Sequence, residues 1–107
     1  MNIEEIRDYA LAKADAEEGM PFGNETLVFK VRGKLFLLMG LDNDPLQFNV
    51  KCDPARAIEL REEYDCVIPG YHMNKKHWNT VIIDGTLTKK QLKEMIDHSY
   101  ALVAKRK

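Results

Sequence analysis

"TLVFKVRGKLFLLMGL", residues 26–41, decides the fold class. Over Thr26–Val31 the side chains of Leu27, Phe29 and Val31 fall on one side of an extended chain, and those of Val28, Lys30 and Arg32 on the other. That is the period of two expected of a strand with one buried face. Gly33 supplies a turn. The next run, KLFLLMGL, is apolar at both parities, which predicts a strand covered on each side or shielded by bulky neighbours. "DNDP", residues 42–45, is a second turn signal. After it, "LQFNVK" alternates again, with Leu46, Phe48 and Val50 inward and Gln47, Asn49 and Lys51 outward. The three strands read as an antiparallel meander.

The flanks read as helices. Asn2 and Glu5 form a capping pair ahead of Ile3, Ile6 and Ala10, so the first helix is predicted to run to Lys13. "EGMPFGN", residues 18–24, ends it in a loop or a short edge strand. Asp53 followed by Pro54 starts a second helix, which reaches about Tyr64. "CVIPGYHMNKKH", residues 66–77, is a connection with a short extended piece, and "WNTVIID" is a further strand. Thr88 with Gln91 makes a capping box, stapled by Leu87 and Leu92, ahead of a last helix with Leu92, Met95, Ile96, Tyr100 and Val103 buried. It closes on Lys105, Arg106 and Lys107, whose charge suits a helix C-terminus. The order is helix, three or four strands, helix, strand, helix. It predicts an α+β sandwich, with one antiparallel sheet under helices on one face and the other face open.

The chain has 107 residues, 45% of them hydrophobic and 31% charged, the balance of one globular domain spanning 1–107. Its formal charge is −1, so no overall positive field draws it to phosphate or anionic lipid, and nucleic-acid binding requires a local patch. No basic segment leads into an apolar one near Met1, and no apolar run approaches the roughly 20 residues that span a bilayer. The expectation is a cytoplasmic protein with no membrane partner. Cys52 and Cys66 read as reduced, packed thiols.

Several chemistries compete for the polar residues. His72 and His77, joined by Cys66, would give three metal ligands, but their spacing fits no standard zinc pattern. His98 and Ser99 are adjacent on a helix and diverge, Cys66 has only His72 as a conceivable base, and no glycine-rich phosphate loop follows a strand, so no enzyme is expected. Glu4, Glu5, Asp8, Asp15, Glu17 and Glu18 make the first helix and its exit acidic. Such a cluster attracts hard cations in some folds and is a solvated face in most. Lys89 and Lys90 in the first turn of the last helix oppose its dipole by about 0.3 to 1 kcal/mol. They either lie in solvent or mark an anion site. On the open sheet face, Lys30, Arg32, Gln47, Asn49 and Lys51 are expected together, with Trp78 or Phe36 offering a ring on which a base stacks.

"PFGNETLVFKVRGKLFLLM", "IPGYHMNKKHWNTVII" and a closing "HSYALV" together resemble the MmcQ/YjbR family of small bacterial proteins over nearly the whole chain. The resemblance implies a frataxin-like (CyaY-like) α+β fold and DNA binding through a double-wing arrangement. It rests on Gly33, Lys34 and Phe36, then Pro69, Gly70, His72, Lys75, His77 and Trp78. "AKADAEEG" departs from the Pro-Gly element often found there in relatives. The combined expectation is a non-enzymatic DNA-binding module without cofactors. Phosphates would be contacted by Lys30, Arg32, Lys34, Lys51, Lys75 and Lys76, and a base stacked on Trp78. A metal-binding or protein-interaction domain is the alternative, using either the acidic helix, which frataxin-like topology would make an iron ridge, or the His72 and His77 loop.

Overall fold

The computed structural model describes residues 1–70 and 73–105. In chain order the elements are α1 (Ile3–Leu11), β1 (Ala16–Gly19), β2 (Thr26–Val31), β3 (Lys34–Gly40), β4 (Gln47–Lys51), α2 (Pro54–Glu63), β5 (Val67–Pro69), β6 (Trp78–Ile82) and α3 (Lys89–Ala104). The strands form one six-stranded sheet in the order β1-β2-β3-β4-β6-β5, antiparallel at every pairing. The meander over β2, β3 and β4 is as the alternation predicts. "AEEG" pairs along β2 as an edge strand, and the extended piece before Pro69 closes the opposite edge against β6. Helix α1 stops at Leu11, two residues short of the expected Lys13, before Asp15 takes a left-handed φ of 61° on the way into β1.

The capping residues act as their sequence suggests. Asn2 and Glu5 exchange side-chain and backbone hydrogen bonds, as do Thr88 and Gln91, and Asp53 accepts from the Arg56 amide with Pro54 in the first turn. Each satisfies amide groups that a helix start leaves unpaired.

All three helices lie on one face. Ile6 and Ala10 of α1, Leu60 of α2 and Leu92, Met95, Ile96 and Val103 of α3 join one core with Leu27, Phe29, Val31, Leu37, Met39, Phe48 and Val81 of the sheet. The opposite face carries a smaller cluster of Val28, Leu38 and Trp78, with Leu35 and Met73 against it. This explains the double apolarity of β3, whose one face meets the helices and whose other lies in that second cluster.

A bulge completes the explanation. Phe29 opposes Leu37 but Lys30 opposes Leu35, so Phe36 has no partner across β2. Its ring turns into the helix-side core, fully buried, and meets the Tyr100 ring edge-on at 5.3 Å. Bulges bend a strand and interrupt its ladder. Leu37 and Val50 are the last opposed pair of β3 and β4. Phe36 and Lys51 would come next, and the Ser99 hydroxyl of α3 stands between them. It accepts from the Lys51 amide at 2.9 Å and donates to the Phe36 carbonyl at 2.5 Å. Ser99 is fully buried, so both backbone groups depend on it where water does not reach. One residue earlier, His98 Nε2 accepts from the Asp53 amide at 3.2 Å, fixing the exit of β4 to α3 a second time.

Two outcomes follow for the α3 seam. Ser99→Ala leaves a buried amide and carbonyl unpaired and should lower unfolding free energy by about 1–3 kcal/mol in a urea titration; a change below about 0.5 kcal/mol would remove the seam from the account. Burial, aided by the nearby Arg56 charge and opposed by Asp53, holds the His98 imidazolium pKa below its ordinary value. The unfolded chain therefore takes up the proton first, near its usual value of about 6.5. The stability that His98 contributes is complete above that pH and is lost as pH falls toward the folded-state pKa. His98→Gln, which keeps an acceptor but does not titrate, should flatten that acid-side loss of melting temperature; an unchanged pH profile would contradict the assignment.

Candidate nucleic-acid interface

Antiparallel register brings four basic segments to one end of the sheet. Val31 opposes Lys34 across a two-residue turn in which Arg32 and Gly33 both take positive φ, 49° and 79°, the geometry that suits a tight hairpin. The same end receives the last residue of β4 and the first of β6, since Lys51 opposes Trp78. The turn of residues 74–77, carrying Lys75 and Lys76, leads directly into Trp78. Lys30 and Lys51 stand on the face away from the helices, in the same pleat as Gln47 and Asn49, where Asn49 accepts from the Thr80 hydroxyl at 2.5 Å. Lys34, Lys75 and Lys76 are exposed at the sheet's end.

Three expected members behave differently. Arg32 does not share the open face. The left-handed turn swings its guanidinium to the helix side, where it donates to the Ala104 carbonyl at the end of α3 and lies 3.5 Å from Asp15. Trp78 is on the open face but only 8% exposed, packed on Val28 and Leu38, so its ring face is not available to a base. Phe36 is drawn into the core by the bulge. A carboxylate also enters the patch, because Glu17 of β1 opposes Lys30.

The 74–77 turn is rigidly tied. Asn74 accepts through its side chain from the Lys76 amide at 2.9 Å and through its carbonyl from the amides of His77 and Trp78. The His77 carbonyl accepts from the Cys52 amide at 2.7 Å. Arg61 of α2 reaches over from the helix layer. Its Nε donates to Asn79 Oδ1 at 2.6 Å, and one terminal nitrogen donates to the carbonyls of Lys75 and, at 3.2 Å, Trp78. Gly70 admits the crossing, since a Cβ there would stand 3.0 Å from Trp78 Cβ and 3.1 Å from its carbonyl oxygen. Pro69, Gly70 and "NKKHW" are thus the parts of one braced turn. Sequence reasoning missed Arg61, whose only signal was an isolated cation in the last turn of α2.

The described residues weighed for other chemistries are spread across the fold. Cys66 lies beside Ile82, whose amide it accepts, while His77 precedes the other end of the same strand, about 16 Å away at 3.3 Å per residue. They do not share a metal. His72 lies outside the described residues, and no three His, Cys, Asp or Glu side chains converge among the described residues. Burial pushes the Cys66 thiol above its ordinary pKa, which disfavours the nucleophilic thiolate. The acidic helix is answered by cations. Glu5 pairs with Lys89 at 2.6 Å, which lowers its pKa and supplies the negative partner that Lys89 needs at the start of α3. Arg7 forks onto both oxygens of Glu18. Where α1 meets α3, Asp97 accepts from Tyr9 at 2.6 Å and from Lys13 at 2.5 Å, and burial with this bond pushes the Tyr9 pKa up to about 12. No described helix is long and apolar enough to cross a membrane.

One helix layer over an open six-stranded antiparallel sheet, with a basic turn at one end, defines a small α+β domain, and comparison assigns it. The YjbR family model matches residues 11–102, and the chain belongs to that family. It is 39% identical over 83 residues to the uncharacterised protein YbdF of Escherichia coli O157:H7, spanning 78% of this chain and 68% of that one. It is 35% identical over 101 residues to the uncharacterised protein YjbR of Escherichia coli K12, spanning 94% and 85%. The crystal structure of Deinococcus radiodurans protein DR2400, described as a DUF419 domain, superposes with a TM-score of 0.93 at 39% identity over 98% of this chain and 80% of that one. A crystal structure of a Pseudomonas syringae protein gives a TM-score of 0.81 at 29% identity, over 96% and 99%.

Arg61→Lys retains the charge but not the planar fork that holds three acceptors. Amide hydrogen exchange at His77 and Trp78 should accelerate at least tenfold while the amides of β2 and β3 stay unchanged; equal protection in both proteins would show that the turn does not depend on Arg61.

Proposed function

We propose that this chain is a cytoplasmic, non-enzymatic DNA-binding module that holds the phosphate backbone with Lys30, Lys34, Lys51, Lys75 and Lys76. The observation that carries the reading is the register that gathers these cations, from the β2–β3 hairpin, β4 and the 74–77 turn, at one end of the sheet. A net charge of −1 makes such local gathering necessary. The buried Trp78 ring braces this surface from beneath, so the contact is to phosphate rather than to stacked bases. Phosphate contacts position a protein on DNA without reading sequence. Arg32 belongs to the α3 seam in this scheme, and Lys30 acts against the opposing charge of Glu17.

A protein-docking reading has one observation in its favour. Phe22 is 66% exposed and Met20 42% exposed, in the loop between β1 and β2. Phe22→Ser would abolish that contact and leave DNA binding intact.

Fluorescence anisotropy with labelled single- and double-stranded DNA, across salt concentrations, tests the main reading. Binding should weaken linearly in log salt, with a slope of about −0.9 per phosphate contacted on a duplex. Lys51→Ala and Lys76→Ala should each reduce that slope by about one. No binding at low salt, or binding insensitive to both substitutions, would overturn the proposal.

A further inference from the structure

Beneath Lys51, between β4, β6, α2 and α3, lies a cavity of about 10 Å³ lined in part by Val81, Met95, Arg56, His98 and Asn79. That volume accommodates about one water molecule. Asn79 is 1% exposed. Arg61 Nε donates to its Oδ1, which fixes the orientation of the amide. The other branch, Nδ2, is a buried donor with no acceptor among the described residues. Leaving a buried amide N–H unpaired costs the full desolvation of that group.

The chemistry of the lining is one-sided. Among the described residues no carboxylate lines the cavity, Arg56 and Lys51 contribute only donors in their side chains, the Cys52 sulfur is a weak acceptor, and His98 already uses Nε2 to accept from Asp53. The remaining ring nitrogen of the neutral imidazole is then a donor too. We propose that this cavity is a binding site for a single hydrogen-bond acceptor the size of a water molecule, held by Asn79 Nδ2. A water molecule and a halide ion offer the same accepting chemistry at this size. With the site filled, Asn79 spans two structures, the Arg61 brace of the basic turn on one side and the α2–α3 interior on the other. The inference stands independently of DNA binding.

Crystals of the full chain grown in bromide and in halide-free buffer test it. One ordered peak should lie within hydrogen-bond distance of Asn79 Nδ2. Strong bromide anomalous signal there identifies a halide; a peak unchanged between the two conditions identifies water; either supports the site. Asn79→Leu removes both the donor and any polar atom that could hold a water, and should lose the peak. In solution, a water cross-relaxation signal at the Asn79 side-chain amide should accompany a water-filled site. A dry cavity in well-ordered wild-type crystals of both kinds, or a peak that persists in Asn79→Leu, overturns the proposal.

Discussion

A single hydroxyl, that of Ser99, stands where two strands of the sheet would otherwise meet, and the basic end of the molecule is built on that substitution of side chain for ladder. The bulge at Phe36 commits an aromatic ring to the core and in doing so parts β3 from β4. Ser99 bridges the gap by accepting from Lys51 and donating to Phe36 in a site closed to water. Helix α3 is thereby registered to the sheet at one point, with His98 holding the Asp53 amide two residues further along the chain. The position of Lys51, and of the hairpin beside it, follows from this seam.

Charge is organised around the same geometry. Three of the six acidic side chains marked in α1 and after it have cationic partners: Glu5 with Lys89, Glu18 with Arg7, Asp15 with Arg32. These are surface pairs of small individual worth. Their effect is on distribution, because each of these carboxylates is matched locally while Lys34 and Lys76 are exposed at the sheet's hairpin end. A near-neutral chain can in this way carry a local positive field.

Much of the fold was legible in the residues because each element announces itself twice, by period and by cap. Alternation in β2 and β4, the Asn2 and Thr88 boxes and the Asp53-Pro54 start all correspond to observed elements. The bulge was not legible, since a run apolar at both parities conceals a one-residue slip between its faces. That slip, with the left-handed turn, misdirected two side chains: Phe36 went inward, and Arg32 was carried round to α3. Trp78 fell on the expected face, yet an unpaired apolar patch of Val28 and Leu38 covers its ring. Ser99 had a visible signal, a lone hydroxyl on the same stripe as Leu92, Met95, Ile96 and Val103. Arg61 had almost none, because its three acceptors come from the 74–77 turn and the start of β6, 14 to 18 residues later.

The central claim is spatial, that the sheet end shared by the hairpin, β4 and the 74–77 turn is the surface that meets nucleic acid. Amide chemical-shift mapping by NMR during titration with a short DNA duplex addresses it directly. The largest shifts should fall on residues 30–35, Lys51 and residues 74–78, with α1 and the outer face of α2 silent. Shifts concentrated on the helix layer would contradict it.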